Sequence, residues 1–145
     1  MAINKGFFTS ATDDWETPQA LFDGIAEVFR LDIDVCASKE NAKCEAFFNV
    51  ATHNGLTADW YGLNVWCNPP YGRGIGAWVK KCYEHNQLAV MLLPARTDTK
   101  WWQDYCLKAD CVHFVRGRLK FGDSKNSAPF PSAIVIFNMF KNLKG

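Results

Sequence analysis

Asn68, Pro69, Pro70 and Tyr71 stand directly after an apolar run, in the stretch "VWCNPPYGRGIGAW". Two successive prolines continue neither a strand ladder nor a helix, so the chain should leave its strand at Asn68 and carry Tyr71 on an exposed, stiff loop. The residue types permit a chemistry. The Asn68 side-chain oxygen and the Pro69 carbonyl are two acceptors on one rigid bend, and proline brings no N–H of its own. An exocyclic aryl amine is a poor nucleophile, because its lone pair is delocalised into the ring. Two acceptors aimed at its two protons draw the nitrogen toward tetrahedral geometry and localise that pair. Tyr71 supplies a flat ring against which a base can stack, worth about 1–3 kcal/mol.

Such a bend needs elements that hold it. "TPQALFDGIAEVF" reads as a helix with Thr17 as N-cap and Pro18 in the first turn, turning Leu21, Phe22, Ile25, Val28 and Phe29 inward. "LDIDVCA" (31–37) reads as a strand, Ser38 as the cap of a short helix through 41–43, and "EAFFNV" and "LNVWC" as further strands. Residues 76–84 read as a helix with Trp78, Val79 and Cys82 on one stripe. "LAVMLLP" (88–94) is a continuous apolar run, as expected of a strand buried on both faces. A helix capped by Asp98 or Thr99 runs through Lys108, followed by the strands "CVHFV" and "SAIVIF". Strands alternating with helices predict an α/β sandwich around a mostly parallel sheet, with ligands beyond the carboxyl ends of the strands. Asp34–Ser38, Asn68–Tyr71 and Pro94–Thr97 all fall at such ends and are expected to converge on one cleft.

The 145 residues, 48% hydrophobic, predict one domain over 15–140 behind an irregular arm at 1–14. No run of 18 apolar residues and no signal-peptide core are present, which leads us to expect a cytoplasmic protein. The six cysteines form no CxxC pair and the three histidines are isolated from them, so reduced thiols are expected rather than a disulfide frame or a metal site. Net charge is +1 but uneven: residues 1–72 hold 4 Lys/Arg against 10 Asp/Glu, and residues 73–145 hold 12 against 5. A basic half on an acidic half suits a polyanion bound on one side.

"NPPY" resembles the catalytic tetrapeptide of amino-group methyltransferases that use S-adenosylmethionine. The likeness continues through "WETP" (15–18), "LDIDVCASKENAKC" (31–44), "GLTADW" (55–60), "LLPARTDTKWW" (92–102), "RGRLKFG" (116–122) and "APFPSAIVIF" (128–137), which follow one another as in the phage-type DNA adenine-N6 methyltransferase family. The resemblance implies a Rossmann-like three-layer sandwich and transfer of the methyl group of S-adenosyl-L-methionine to adenine N6 in DNA. It makes Asn68, Pro69, Pro70 and Tyr71 the catalytic loop. It assigns the cofactor to Trp15, Thr17, Pro18, Asp34, Cys36, Ala37, Ser38, Asp59, Trp60 and Asn68, with Asp34 holding the methionine ammonium or a polar group and Asp59 accepting from the cofactor adenine. A glycine-rich FxGxG-type loop is absent, and "DVCAS" stands there instead. S-adenosylmethionine has no phosphate, so a cradle of glycine amides is not obligatory.

Only residues 61–68 lie between Trp60 and Asn68, leaving no room there for a target-recognition domain. An adenine inside a duplex cannot present its amine in line with a methyl donor, so a flipped or single-stranded base is expected. Candidate DNA contacts are Arg73, Lys80, Lys81, Arg96, Lys100, Arg116, Arg118, Lys120 and Lys125, the last four on a phosphate-gripping hairpin. Trp101 and Trp102 offer a stacking platform, one of them facing the core. Two other readings share these residues: a protein glutamine-amide methyltransferase, and a DNA- or cofactor-binding module without catalysis.

Overall fold

A computed structural model describes residues 15–49, 54–122 and 124–140; the expected arm at 1–14 lies outside them. In chain order these residues form helix α1 (Gln19–Ala26), strands β1 (Ile33–Ala37), β2 (Ala46–Asn49) and β3 (Val65–Cys67), and helix α2 (Ile75–Glu84). Strand β4 (Ala89–Pro94), helix α3 (Lys100–Asp104), a 3-10 turn at Cys106–Lys108 and strands β5 (Cys111–Phe114) and β6 (Ser132–Phe137) follow. All six strands join one sheet in the order β2-β1-β3-β4-β6-β5. Strands β1, β2, β3 and β4 pair in parallel, whereas β6 runs against both β4 and β5. The fold is α/β with a mostly parallel sheet, as expected, but with one reversed strand inside it. Both β4 and β6 are buried at every position. A continuous apolar run carries no sign of direction, so the reversal of "SAIVIF" is not legible in the sequence.

The pairing fixes which loops share an edge. Strands β1, β3, β4 and β5 all end, and β6 begins, at one edge of the sheet; the segments just before β3 and just after α2 lie at the other. Strand β3 is pinned from both faces. Phe22 of α1 meets Trp66 edge-on at 5.2 Å, while Cys82 of α2 faces the thiol of Cys67, and successive strand residues point to opposite faces. At the strand entries, Asn64 receives its register from Asp32, which takes its main-chain N–H at 2.8 Å, and from the Arg30 carbonyl, which takes its side-chain N–H at 2.8 Å.

Four local expectations are corrected. Pro18, not Thr17, occupies the N-cap of α1, because the Thr17 hydroxyl is engaged elsewhere. Helix α1 stops at Ala26, leaving Val28 73% exposed while Phe22 is buried. Residues 38–43 form a turn instead of a helix, closed by Asn41, whose side chain accepts the Ser38 N–H at 2.7 Å. The predicted helix to Lys108 breaks after Asp104 into α3 and the 3-10 turn, with Thr99 as its cap. All six cysteines are thiols; Cys67, Cys82 and Cys106 are buried, and burial lifts the Cys106 thiol to about 12. Among the described residues no helix is long and apolar enough to cross a membrane.

Candidate active site

Where β3 ends, the two prolines stop the ladder and the Asn68 side chain turns back toward the segment that precedes α1. Its amide N–H groups donate to the main-chain oxygen of Trp15 and to the Thr17 hydroxyl, the latter at 3.0 Å. A carbonyl oxygen can only accept, so the amide must face Trp15 with its NH2. The Asn68 carbonyl oxygen is thereby aimed away from both. It is buried and has no hydrogen-bond partner among the described residues. A buried acceptor left unpaired costs about 1–3 kcal/mol and is uncommon in native structures.

Asn68, Pro69 and Pro70 line a cavity of about 150 Å³ together with Trp15, Thr17, Asp34, Cys36, Ala37 and Ser38. The cavity lies where β1 and β3 end side by side. Eight of the ten predicted cofactor positions are thus placed at or beside one hollow, since Pro18 follows Thr17 directly without lining it. Asp34 is buried, and its two oxygens accept the Cys36 and Lys43 main-chain N–H groups at 3.2 and 3.0 Å. Burial outweighs those bonds and the Lys43 charge and raises its carboxyl from 3.8 to about 6. At neutral pH the carboxylate is ionised inside the wall of the cavity. Glu16, Asn41, Lys43 and Trp66 also line it, and the sequence reading misses all four. Trp66 carries a second buried group without a partner among the described residues, its indole N–H. A signal for Asn41 and Lys43 exists in the spacing of "SKENAK", whose turn folds back onto Asp34.

Tyr71 is not on an exposed loop. It is 3% exposed, and its hydroxyl donates to the Leu92 carbonyl of β4 at 2.9 Å. Burial pushes that hydroxyl well above the ordinary tyrosine range, so it stays a neutral donor. Trp15, Tyr71, Phe121 and Phe130 form one cluster of edge-on and tilted rings with centroids 5.1–6.2 Å apart. Phe121 and Phe130 come from the segment between β5 and β6, whose sequence has no periodicity to mark them as buried. Arg96 stands 5.8 Å from the Phe130 ring centre, so the segment after β4 reaches the cluster but not the cavity.

The structure does not bring Asp59 and Trp60 to this cavity. Trp60 is buried with its indole N–H donating to the Gly55 carbonyl at 3.0 Å, edge-on to His85. Asp59 is exposed and accepts the Tyr61 main-chain N–H. Both precede β3, and in a parallel sheet the entry to a strand lies at the edge opposite its end. Lys81 is withdrawn as well: its ammonium donates to the Gly55, Leu56 and Ala58 carbonyls and lies 4.4 Å from the Trp60 ring centre. Desolvation lowers its basicity.

The remaining cations behave differently from one another. Arg73, Arg96, Arg116, Arg118, Lys120 and Lys125 are exposed on segments at the cavity edge of the sheet. Lys80 is exposed on the middle of α2, and Lys100 is paired with Asp104 at 2.8 Å along α3. Among the described residues no strands form in the expected hairpin; its segment is closed by the Ala128 N–H on the Leu119 carbonyl at 2.7 Å, and the Arg118 guanidinium lies 3.4 Å from the Ala128 oxygen. Of the tryptophan pair, Trp102 is buried and Trp101 half-buried. Among the described residues no three His, Cys, Asp or Glu side chains gather as a metal site.

Comparison with known proteins agrees with this geometry. The family model described as DNA N-6-adenine-methyltransferase (Dam) matches residues 7–145. The chain is 31% identical over 140 residues to the DNA N-6-adenine-methyltransferase of Haemophilus phage HP1, covering 88% of this chain and 80% of that protein. It is 38% identical over 98 residues to the DNA N-6-adenine-methyltransferase of Escherichia phage T1, covering 63% of this chain and 40% of that protein.

Proposed function

The chain belongs to the DNA N-6-adenine-methyltransferase family and is a DNA adenine-N6 methyltransferase; we propose that S-adenosylmethionine is its donor and that the cavity beside Asn68 is where donor and adenine meet. The unpartnered Asn68 oxygen carries this reading. An acceptor without a partner among the described residues suits a donor that arrives with the substrate.

The lining fits the cofactor. Asp34 offers an anion to the methionine ammonium, Lys43 a cation on the same wall, and Trp15 an aromatic surface. S-adenosylmethionine, when bound, supplies a methyl group made electrophilic by its sulfonium. The protein's part is positional. Asn68 and the Pro69 carbonyl accept hydrogen bonds from the two amine N–H groups and localise the nitrogen lone pair, and holding that nitrogen in line supplies most of the rate. Tyr71 offers its ring to the base, which requires Phe121 and Phe130 to move aside. Both sit on the segment that carries Arg116, Arg118, Lys120 and Lys125, so phosphate contact and uncovering of the ring involve the same piece of chain. Arg73, Arg96, Lys80 and Lys100 extend the basic surface.

The target is a flipped or single-stranded adenine. The fold is a three-layer, Rossmann-like domain over residues 15–140, a reading supported by the packing of α1 and α2 on opposite faces of β3. Incubation with labelled S-adenosylmethionine and either adenine-containing DNA or protein acceptors tests the proposal. N6-methyladenine in the DNA is expected. Label confined to glutamine side chains would favour the protein-amide enzyme, and tight cofactor binding without transfer to any DNA would favour an inactive module.

A further inference from the structure

We propose that Thr17 is a positioning residue for Asn68, holding its amide against the Trp15 carbonyl, which fixes the end that faces the substrate. The inference rests on the reading of Asn68 given above and adds to it the reason that its oxygen is the end presented.

An asparagine amide is nearly symmetric in shape, and its two ends differ only in donating or accepting. Turned over, Asn68 would present N–H groups to an incoming amine, donor against donor, and could not localise the lone pair. One contact opposes that rotation, and a second holds the amide to the first. The Trp15 main-chain oxygen accepts one amide proton and offers nothing in return, and the Thr17 hydroxyl accepts the other at 3.0 Å. Thr17 is itself only 5% exposed. That hydroxyl is free to serve Asn68 because Thr17 lies one residue before the N-cap of α1 and caps nothing. The consequence is visible at the other end of the amide, whose oxygen is buried and unpartnered. Since Trp15 and Thr17 line the cavity, the same three residues form part of its wall and set the amide.

The test compares Thr17→Val, Thr17→Ser and Asn68→Ala, measuring methyl transfer to DNA and, separately, cofactor affinity by calorimetry. Thr17→Val keeps the shape and removes the hydroxyl. It is expected to lower kcat about tenfold or more, with KM for DNA and cofactor affinity changed by less than about threefold. Thr17→Ser is expected to recover most of the rate. Wild-type kcat in Thr17→Val, with Asn68→Ala inactive, would overturn the positioning role while leaving the role of Asn68 intact. Loss of cofactor affinity in proportion to rate would also overturn it, making Thr17 a cofactor contact only. Full activity in Asn68→Ala would remove both. A readout on the unaltered protein guards against misfolding of the valine variant: the Asn68 side-chain NH2 resonances, identified by their loss in Asn68→Ala, should exchange slowly with solvent. Exchange at the rate of a free amide would overturn the proposal.

Discussion

The hydroxyl of Tyr71 donates to the main-chain oxygen of Leu92 at 2.9 Å, tying the Asn-Pro-Pro-Tyr bend to the fully buried strand beside it. The bond separates two duties of one side chain. Tyr71→Phe keeps the ring and leaves a buried carbonyl unpaired, so stability should fall by about 1–3 kcal/mol in urea unfolding while methyl transfer stays within about tenfold of wild type. Tyr71→Ala removes the stacking surface as well and should lower kcat/KM by a further tenfold to hundredfold, about 1–3 kcal/mol. An alanine variant as active as the phenylalanine variant would show that the ring does not hold the base.

Asp34 gives a pH dependence with two opposite signs. Its carboxyl titrates at about 6 in the fold against 3.8 for the ordinary value. A cationic ammonium needs the ionised form, so cofactor affinity should be level above pH 6 and fall about tenfold per pH unit below it, and Asp34→Asn should abolish that slope. Stability moves the other way. The native state holds this proton more tightly than the unfolded chain, so the cost of the buried charge is present above pH 6 and is relieved as pH falls toward 3.8. Between pH 7 and pH 4 that relief is about 2 kcal/mol and should be absent from Asp34→Asn when both are unfolded in urea at the two pH values. Affinity that is unchanged between pH 7 and pH 5 would exclude Asp34 from ammonium binding.

Lys81 and Arg116 look alike in the sequence, as cations of the basic half, and differ in the fold. Three carbonyls hold the Lys81 ammonium, whereas Arg116 is exposed at the cavity edge. Lys81→Met should cost about 2–4 kcal/mol of stability and leave the salt dependence of DNA binding unchanged. Arg116→Ala should leave stability within about 0.5 kcal/mol of wild type and reduce the slope of log affinity against log salt by about one. Measured slopes in the reverse order would place the DNA elsewhere.

How far the sequence can be read depends on whether the relevant contact is local. The Pro-Pro stop after "VWC", the apolar run of β4 and the Trp78–Val79–Cys82 stripe declare themselves within a few residues, and each is found. The burial of Tyr71 escapes such a reading because the rings that cover it, Phe121 and Phe130, lie some fifty residues later in a segment without periodicity. Thr17 followed by proline has every mark of a helix cap, yet a long-range partner, Asn68, takes its hydroxyl. Resemblance alone sets Asp59 and Trp60 beside the cofactor, although position argues otherwise, since a segment entering a parallel strand lies at the far edge from the strand's end. Gly55, packed so closely that an added Cβ would stand 2.1 Å from the Val35 carbonyl, fixes that segment against β1.

The most direct measurement is single-turnover transfer of labelled methyl from S-adenosylmethionine to an adenine-containing oligonucleotide by Asn68→Ala, alongside its cofactor affinity. If the unpartnered oxygen of Asn68 activates the amine, transfer falls about a hundredfold or more while the cofactor binds within about threefold of wild type. Transfer at the wild-type rate by a protein lacking that oxygen would contradict it.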